Sequence, residues 1–221
     1  MLTGGAGGRA MSGAFEEVFG IANAFAGVPM DGRTDAWLLA RAIDAHGVTA
    51  SPGALARFHR AYPAHLQAEL GRAGPRRKIM PGVRPLLRRL APAMHVFLAL
   101  LTGNTEAGAR LKLEHFDLWR FFSCGAFGDR DVDRNLLLPA ALARVQACGG
   151  PIVPASQVIV IGDTPLDVAC AFASGARAIA VATGGHDARE LRAAGADVVF
   201  ETLEDTGAVV SAIAHLTAAA V

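Results

Sequence analysis

The chain reads as an α/β protein, a parallel sheet with helices on both faces and an all-helical segment inserted near its start. Three observations predict this. Residues 10–75 carry helical periodicity without a strand-like run. From Pro81-Gly82 onward, short apolar runs alternate with helical segments. The length, 221 residues, suits one ordinary α/β domain plus a smaller insertion, or two small domains.

Along residues 6–20, Met11, Phe15, Val18 and Phe19 fall on one face of an amphipathic helix. The turn-rich MDGRTD follows, where Thr34 caps a helix running from Asp35 to about His46 and closed by Gly47. A third helix starts near Pro52. Pro63 is expected to kink or split it, and GRAGPRRK beyond it reads as a linker. Thereafter HVFLALL, CGAF, QVIVIG, AIAVAT and DVVF read as strands. Between and after them lie helical EAGARLKLEHF, NLLLPAALARVQ, PLDVACAFASG, ARELRAAG and a last helix through GAVVSAIAHL. Sheets built this way place their chemistry in loops at the carboxyl ends of the strands.

Composition narrows the function classes. Lys and Arg total 21 against 20 Asp and Glu, with no basic block to follow a phosphate backbone, so nucleic acid is not an expected partner. Cys124, Cys148 and Cys170 are odd in number and lack CxxC spacing, which argues against a disulfide framework or a zinc site and fits a reducing, cytoplasmic setting. The first residues hold no apolar signal region, and VFLALL and VIVI are too short to cross a bilayer, so no membrane partner is expected. The seven histidines share no metal-ligand spacing.

Two loops stand at carboxyl ends of predicted strands. Thr102-Gly103-Asn104-Thr105 follows HVFLALL and offers hydroxyl and backbone donors suited to an oxyanion such as phosphate. Gly162-Asp163-Thr164-Pro165-Leu166-Asp167 follows VIVI, and its carboxylates, without His or Cys nearby, are hard oxygen ligands matched to Mg²⁺. The plainer reading makes Thr102 and Thr164 helix caps and the acids first-turn residues. Both loops at the same end of one sheet favour a site.

FLALLTGN followed by VIVIGDTPLDV, with TGGHDARELRAAGADVVFETLED behind it, resembles the haloacid dehalogenase superfamily of hydrolases, in its phosphoglycolate-phosphatase-like branch. The resemblance implies a Rossmann-like core from residues 1–9 and 76–221 with a helical cap over 10–75. It implies a Mg²⁺-dependent phosphomonoester hydrolase that acts on a small phosphorylated metabolite through an aspartyl-phosphate. Carried onto these residues, it has Thr102 hydrogen-bond the transferring phosphoryl group, helped by amides around Gly103 and Asn104. Asp163 then ligates Mg²⁺, and Asp167 completes the site directly or through water. The family also uses a cation, usually Lys, after the next strand. In GDRDVDRNLLLP the match is Arg134, whose planar fork replaces a compact ammonium. Lys112 is the runner-up, read here as an ordinary solvated lysine. Arg33, in GRTD, either reaches the substrate from the cap or is an exposed loop residue.

Family members open with an apolar strand ending in Asp-x-Asp-x-Thr, which supplies the nucleophile and the general acid/base. Neither that strand nor its motif occurs here; MLTGGAGG resembles the stretch immediately after the motif. In the family that strand lies mid-sheet, between the strands ending at Thr102 and Asp163, so two unpaired edges are expected, together with a natural start upstream. Asp129-Arg130-Asp131, with Asp133, lacks the Thr and follows a different strand, so it reads as a solvated loop positioning Arg134; because Arg134 occupies the Gly position a calcium loop requires, calcium is not expected there. Two other readings stay open: a catalytically inactive relative that binds phosphate ligands or a partner, and dinucleotide binding through Gly5-x-Gly7-x-x-Ala10.

Overall fold

A computed structural model describes residues 1–72 and 77–218. Three helices come first: α1 (Ala6–Phe19), α2 (Asp35–Ala45) and α3 (Pro52–Gly71). Thr34 caps α2 as its sequence predicts, its hydroxyl accepting the Trp37 N–H at 3.0 Å. Ser51 caps α3 in the same way through the Ala54 N–H at 3.2 Å.

Pro63 does not split α3, which runs through it. Phe58, Tyr62, Leu66 and Leu70 are buried along one stripe of this helix, against Met11 and Phe15 of α1 and Leu38 of α2. Burying such side chains stabilises by about 1.5–3 kcal/mol each, so together they outweigh the roughly 3 kcal/mol that an interior proline costs. The expected start of the helical segment at residue 10 falls inside α1, and its expected end at residue 75 lies outside the described residues.

Strand β1 (Leu2–Thr3) pairs antiparallel with β2 (Arg77–Lys78), bringing the two ends of the helical segment together. A dinucleotide fingerprint needs a parallel strand before its glycines. The antiparallel β1 therefore rules out that reading of Gly5 and Gly7.

The remaining strands are parallel. β3 (Ala99–Thr102) pairs with β4 (Cys124–Phe127), while β5 (Ile159–Gly162), β6 (Arg177–Val181) and β7 (Val198–Phe200) form a second sheet in that order. Only the end of HVFLALL is strand, because the sole partner of β3 among the described residues is the four-residue β4. Helices α4 (Val83–Leu90), α5 (Glu106–His115), α6 (Leu137–Ala147), α7 (Pro165–Ala173), α8 (Ala188–Ala193) and α9 (Thr206–Ala218) complete the chain.

The helices bridge the two parallel sheets. Leu138 and Ala141 of α6 and Val168 of α7 share one core with Ala126 of β4, Val160 of β5 and Ala178 of β6. A second core joins Leu86 and Leu90 of α4 and Val209 of α9 to Val181 and Phe200, with Val96 and Leu98 from the segment leading into β3.

Between the sheets, β3 and β5 share no ladder, and among the described residues each leaves one edge unpaired. A parallel strand covered on both faces is normally buried throughout, as β6 is after its first residue. All four residues of β3 are instead half-buried, and Ile161 in mid-β5 is 38% exposed. The two edges expected from the sequence are present.

Candidate active site

A cavity of about 720 Å³ opens between these edges, lined by Leu101 and Thr102 of β3, Ile161 and Gly162 of β5, and the Met30–Arg33 turn above them. Both predicted loops enter it, together with Lys112, Arg134 and the Thr183-Gly184-Gly185 turn after β6. The site therefore sits at the carboxyl ends of three parallel strands.

The first loop is a hydrogen-bonded unit. Thr102 is not a helix cap: that role in α5 belongs to Thr105, whose hydroxyl accepts the Gly108 N–H at 3.1 Å. The Thr102 hydroxyl oxygen instead accepts the Asn104 backbone N–H at 3.2 Å and the Asn104 Nδ2 amide at 2.8 Å. The Oδ1 of Asn104 accepts a hydrogen bond from Lys112 Nζ. Both Asn104 N–H groups are thus directed at the Thr102 hydroxyl.

Lys112 is not a solvated lysine. It is 9% exposed and lines the cavity. It shares the buried face of α5 with Gly108, Ala109 and Leu113. Burial lowers the pKa of its ammonium, and the neighbouring Asp35 carboxylate opposes that shift.

Asp35, which no sequence motif singles out, ties the helical segment to this loop. Its N–H donates to the Gly103 carbonyl at 2.6 Å, and its Oδ2 accepts the Thr105 N–H at 2.8 Å. Burial raises its carboxyl pKa, countered by Lys112 and the Thr105 N–H. Beside it, burial and the Asp35 charge push the Tyr62 phenol well above its ordinary value. The approach is close enough that a Cβ on Gly103 would lie 2.1 Å from the Arg33 carbonyl oxygen.

In the second loop the two aspartates differ. Asp167 forms a capping box with Thr164 at the start of α7. Its Oδ2 accepts from the Asp163 N–H, the Thr164 N–H and the Thr164 hydroxyl at 2.8–3.2 Å, while its Oδ1 pairs with Arg134. Asp163 has no side-chain ion pair among the described residues. Its pKa is raised by burial first and then by the Asp167 charge, with Asp31 adding to the rise and the partly buried Met1 amino group opposing it. A Cβ on Gly184 would lie 2.6 Å from Asp163 Oδ2, and one on Gly185 3.1 Å from Asp31 Oδ2, so the two carboxylates come down over adjacent residues. Asp31 is a further residue that the sequence did not single out.

Arg134 bridges the helical segment and the sheet region. It donates to the Gly32 carbonyl at 2.9 Å as well as to Asp167, and its Nε is buried without an acceptor among the described residues. Asp133 caps the turn that carries Arg134, accepting the Asn135 N–H at 2.9 Å. The Asp129 carboxylate accepts the Glu106 N–H, the first of α5, at 3.0–3.2 Å. Arg33 lines the cavity with its guanidinium 4.3 Å from the centre of the Trp37 ring, a cation–π contact.

Comparison with known proteins agrees with this architecture. The family model described as HAD-hydrolase-like matches residues 135–206. A phosphoglycolate phosphatase of Pseudomonas savastanoi pv. phaseolicola is 34% identical over 125 residues, which cover 57% of this chain and 44% of that protein. A probable phosphoglycolate phosphatase of Pseudomonas savastanoi is 33% identical over 110 residues, covering 50% of this chain and 67% of that one. The matched stretch therefore spans less than half of the first of these relatives. Among solved structures, CbbY from Rhodobacter sphaeroides, in complex with phosphate, superposes with a TM-score of 0.65 at 18% identity, over 91% of this chain and 89% of that one. On its sequence relatives and its fold, this chain belongs to the haloacid dehalogenase superfamily of hydrolases, in the phosphoglycolate-phosphatase-like branch.

Proposed function

We propose that this protein serves Mg²⁺-dependent hydrolysis of a small phosphorylated metabolite through an aspartyl-phosphate, with residues 10–75 as a cap and the nucleophilic aspartate not among these 221 residues. One observation carries the reading: an oxyanion loop and a carboxylate to which no cation among the described residues is bonded share one cavity, on either side of two unpaired strand edges. The curated relatives named above are phosphoglycolate phosphatases, which favours a small phosphate ester as substrate.

The residues fit this chemistry. Thr102 donates its hydroxyl proton to a phosphoryl oxygen, and Arg134, which lines the same cavity with its guanidinium close to Gly103, supplies positive charge. Asp163, destabilised as an anion by burial and by Asp167, is suited to bind a hard divalent cation, with Asp31 facing it from the cap. Asp167 has both oxygens engaged, so it orients the Asp163 loop and would support a bound Mg²⁺ from behind Asp163. Mg²⁺, when bound, neutralises phosphoryl charge and so favours attack by an anionic nucleophile. A strand filling the gap between β3 and β5 would bring its carboxyl end between Thr102 and Asp163, where a nucleophilic carboxylate would meet both loops.

The test is phosphate release from a panel of small phosphate esters by two forms: the 221-residue chain, and the same chain preceded by an apolar strand ending in Asp-x-Asp-x-Thr. Turnover is expected only from the extended form, only with Mg²⁺, and not when the first Asp of the strand is Asn. An extended form that binds phosphate without turning over would instead favour the inactive, ligand-binding relative.

A further inference from the structure

The contacts around the phosphate loop form a directional relay that begins in the helical segment. Residues 33–36 grip the loop at both ends: the Arg33 carbonyl packs on Gly103, the Asp35 N–H binds the Gly103 carbonyl at 2.6 Å, and Asp35 Oδ2 holds the Thr105 N–H at 2.8 Å. The Ala36 N–H adds a bond to the Gly128 carbonyl, after β4, at 3.0 Å. Between the gripped ends stands Asn104, whose amide has two possible orientations. Lys112 has only donors, so it selects the one with Oδ1 toward itself and Nδ2 toward Thr102. A hydroxyl has one proton and two acceptor positions. Both positions on Thr102 are filled by Asn104, which leaves the proton as the only group it can offer to the cavity.

We propose that Lys112 and Asp35 are positioning residues that fix the polarity of the phosphate loop: Asp35 holds the loop ends and faces the Lys112 charge, Lys112 sets the Asn104 amide, and Asn104 turns Thr102 into an obligate donor. The cap thereby completes the phosphate subsite without touching the phosphate. Gly7 belongs to the same device, since a Cβ there would lie 3.0 Å from Lys112 Nζ. This inference rests on the phosphate reading of the loop given above.

The experiment is calorimetric titration of inorganic phosphate, with Mg²⁺ present, into the protein and its Lys112→Met, Asn104→Ala and double variants, each checked for folding by circular dichroism. Losing one charge-assisted hydrogen bond corresponds to about a tenfold weakening. Lys112→Met is expected to weaken phosphate by about that factor in the parent and to have no effect once Asn104 is Ala, because its action passes through that amide. A Lys112 effect that persists at full size in the Asn104→Ala background would mean direct attraction of the anion and would overturn the relay. Equal phosphate affinity in the parent and Lys112→Met would overturn it as well. No phosphate binding by the parent would remove the phosphate reading itself. If Lys112→Met does not fold, Asp35→Asn gives the same test: it keeps an acceptor for Thr105 but loses the charge, and an unchanged affinity there contradicts the proposal.

Discussion

Arg134 and Asp167 form an ion pair whose side chains are 12% and 10% exposed, joining the turn after β4 to the first turn of α7. Arg134 also reaches the Gly32 carbonyl, so one guanidinium connects the helical segment, the β4 side and the β5 side. A buried pair of this kind adds little net stability over an apolar replacement, yet breaking it leaves an uncompensated charge. Asp167→Ala removes the pair and the capping box together.

The expected outcome for Asp167→Ala is a loss of about 3–5 kcal/mol of folding stability, most of it from stranding Arg134. Urea denaturation checks this through the midpoint at constant slope. A loss within about 0.5 kcal/mol would place Arg134 in solvent rather than in the bridge.

Gly103→Ala tests how closely the helical segment docks. The new methyl carbon would lie 2.1 Å from the Arg33 carbonyl oxygen, and backbone cannot yield as a side-chain tip does. Overpacking of this sort costs about 1–3 kcal/mol. Phosphate affinity is expected to fall with stability, because the displaced Arg33–Ala36 stretch also carries the Asp35 contacts.

Asp163 gives a pH dependence with a defined sign. Its folded-state pKa is raised, so the native protein binds more protons than the unfolded chain between the two values. Stability then falls as pH rises through that window and carries a constant penalty above it. Asp163→Asn, measured without divalent cations, is expected to be more stable than the parent near neutral pH, with the gap closing as pH drops from the raised folded-state value to the ordinary carboxylate value. Thermal unfolding across pH reads this directly, and equal profiles would show that the carboxylate is well solvated.

Much of this architecture is legible in local sequence, because local forces set it. Thr34 and the Asp35–His46 pattern define α2, and CGAF is β4 to the residue. Strand ends locate the site loops, and Thr102 and Asp163, each just past an apolar run, do meet in one cavity. The features that local sequence hides depend on tertiary partners. Pro63 argues for a break, but burial of the Phe58–Leu70 stripe overrides it. Lys112 reads as solvated by residue type, although its spacing from Gly108 and Ala109 puts it on the buried face of α5. Asp35 resembles an ordinary first-turn acid, and only the fold shows that its carboxylate crosses to Thr105. The difference between Asp163 and Asp167 likewise depends on Arg134, which is 33 residues away in sequence from Asp167.

The most direct test of the account is the affinity for inorganic phosphate with and without Mg²⁺, in the parent, Asp163→Asn and Thr102→Val. If the two loops form one phosphate and metal site, Mg²⁺ tightens phosphate binding in the parent by about tenfold or more, a coupling of roughly 1.4 kcal/mol or more. That gain disappears in Asp163→Asn, and binding itself weakens in Thr102→Val. Phosphate affinity that is the same in all three proteins and indifferent to Mg²⁺ would contradict the account.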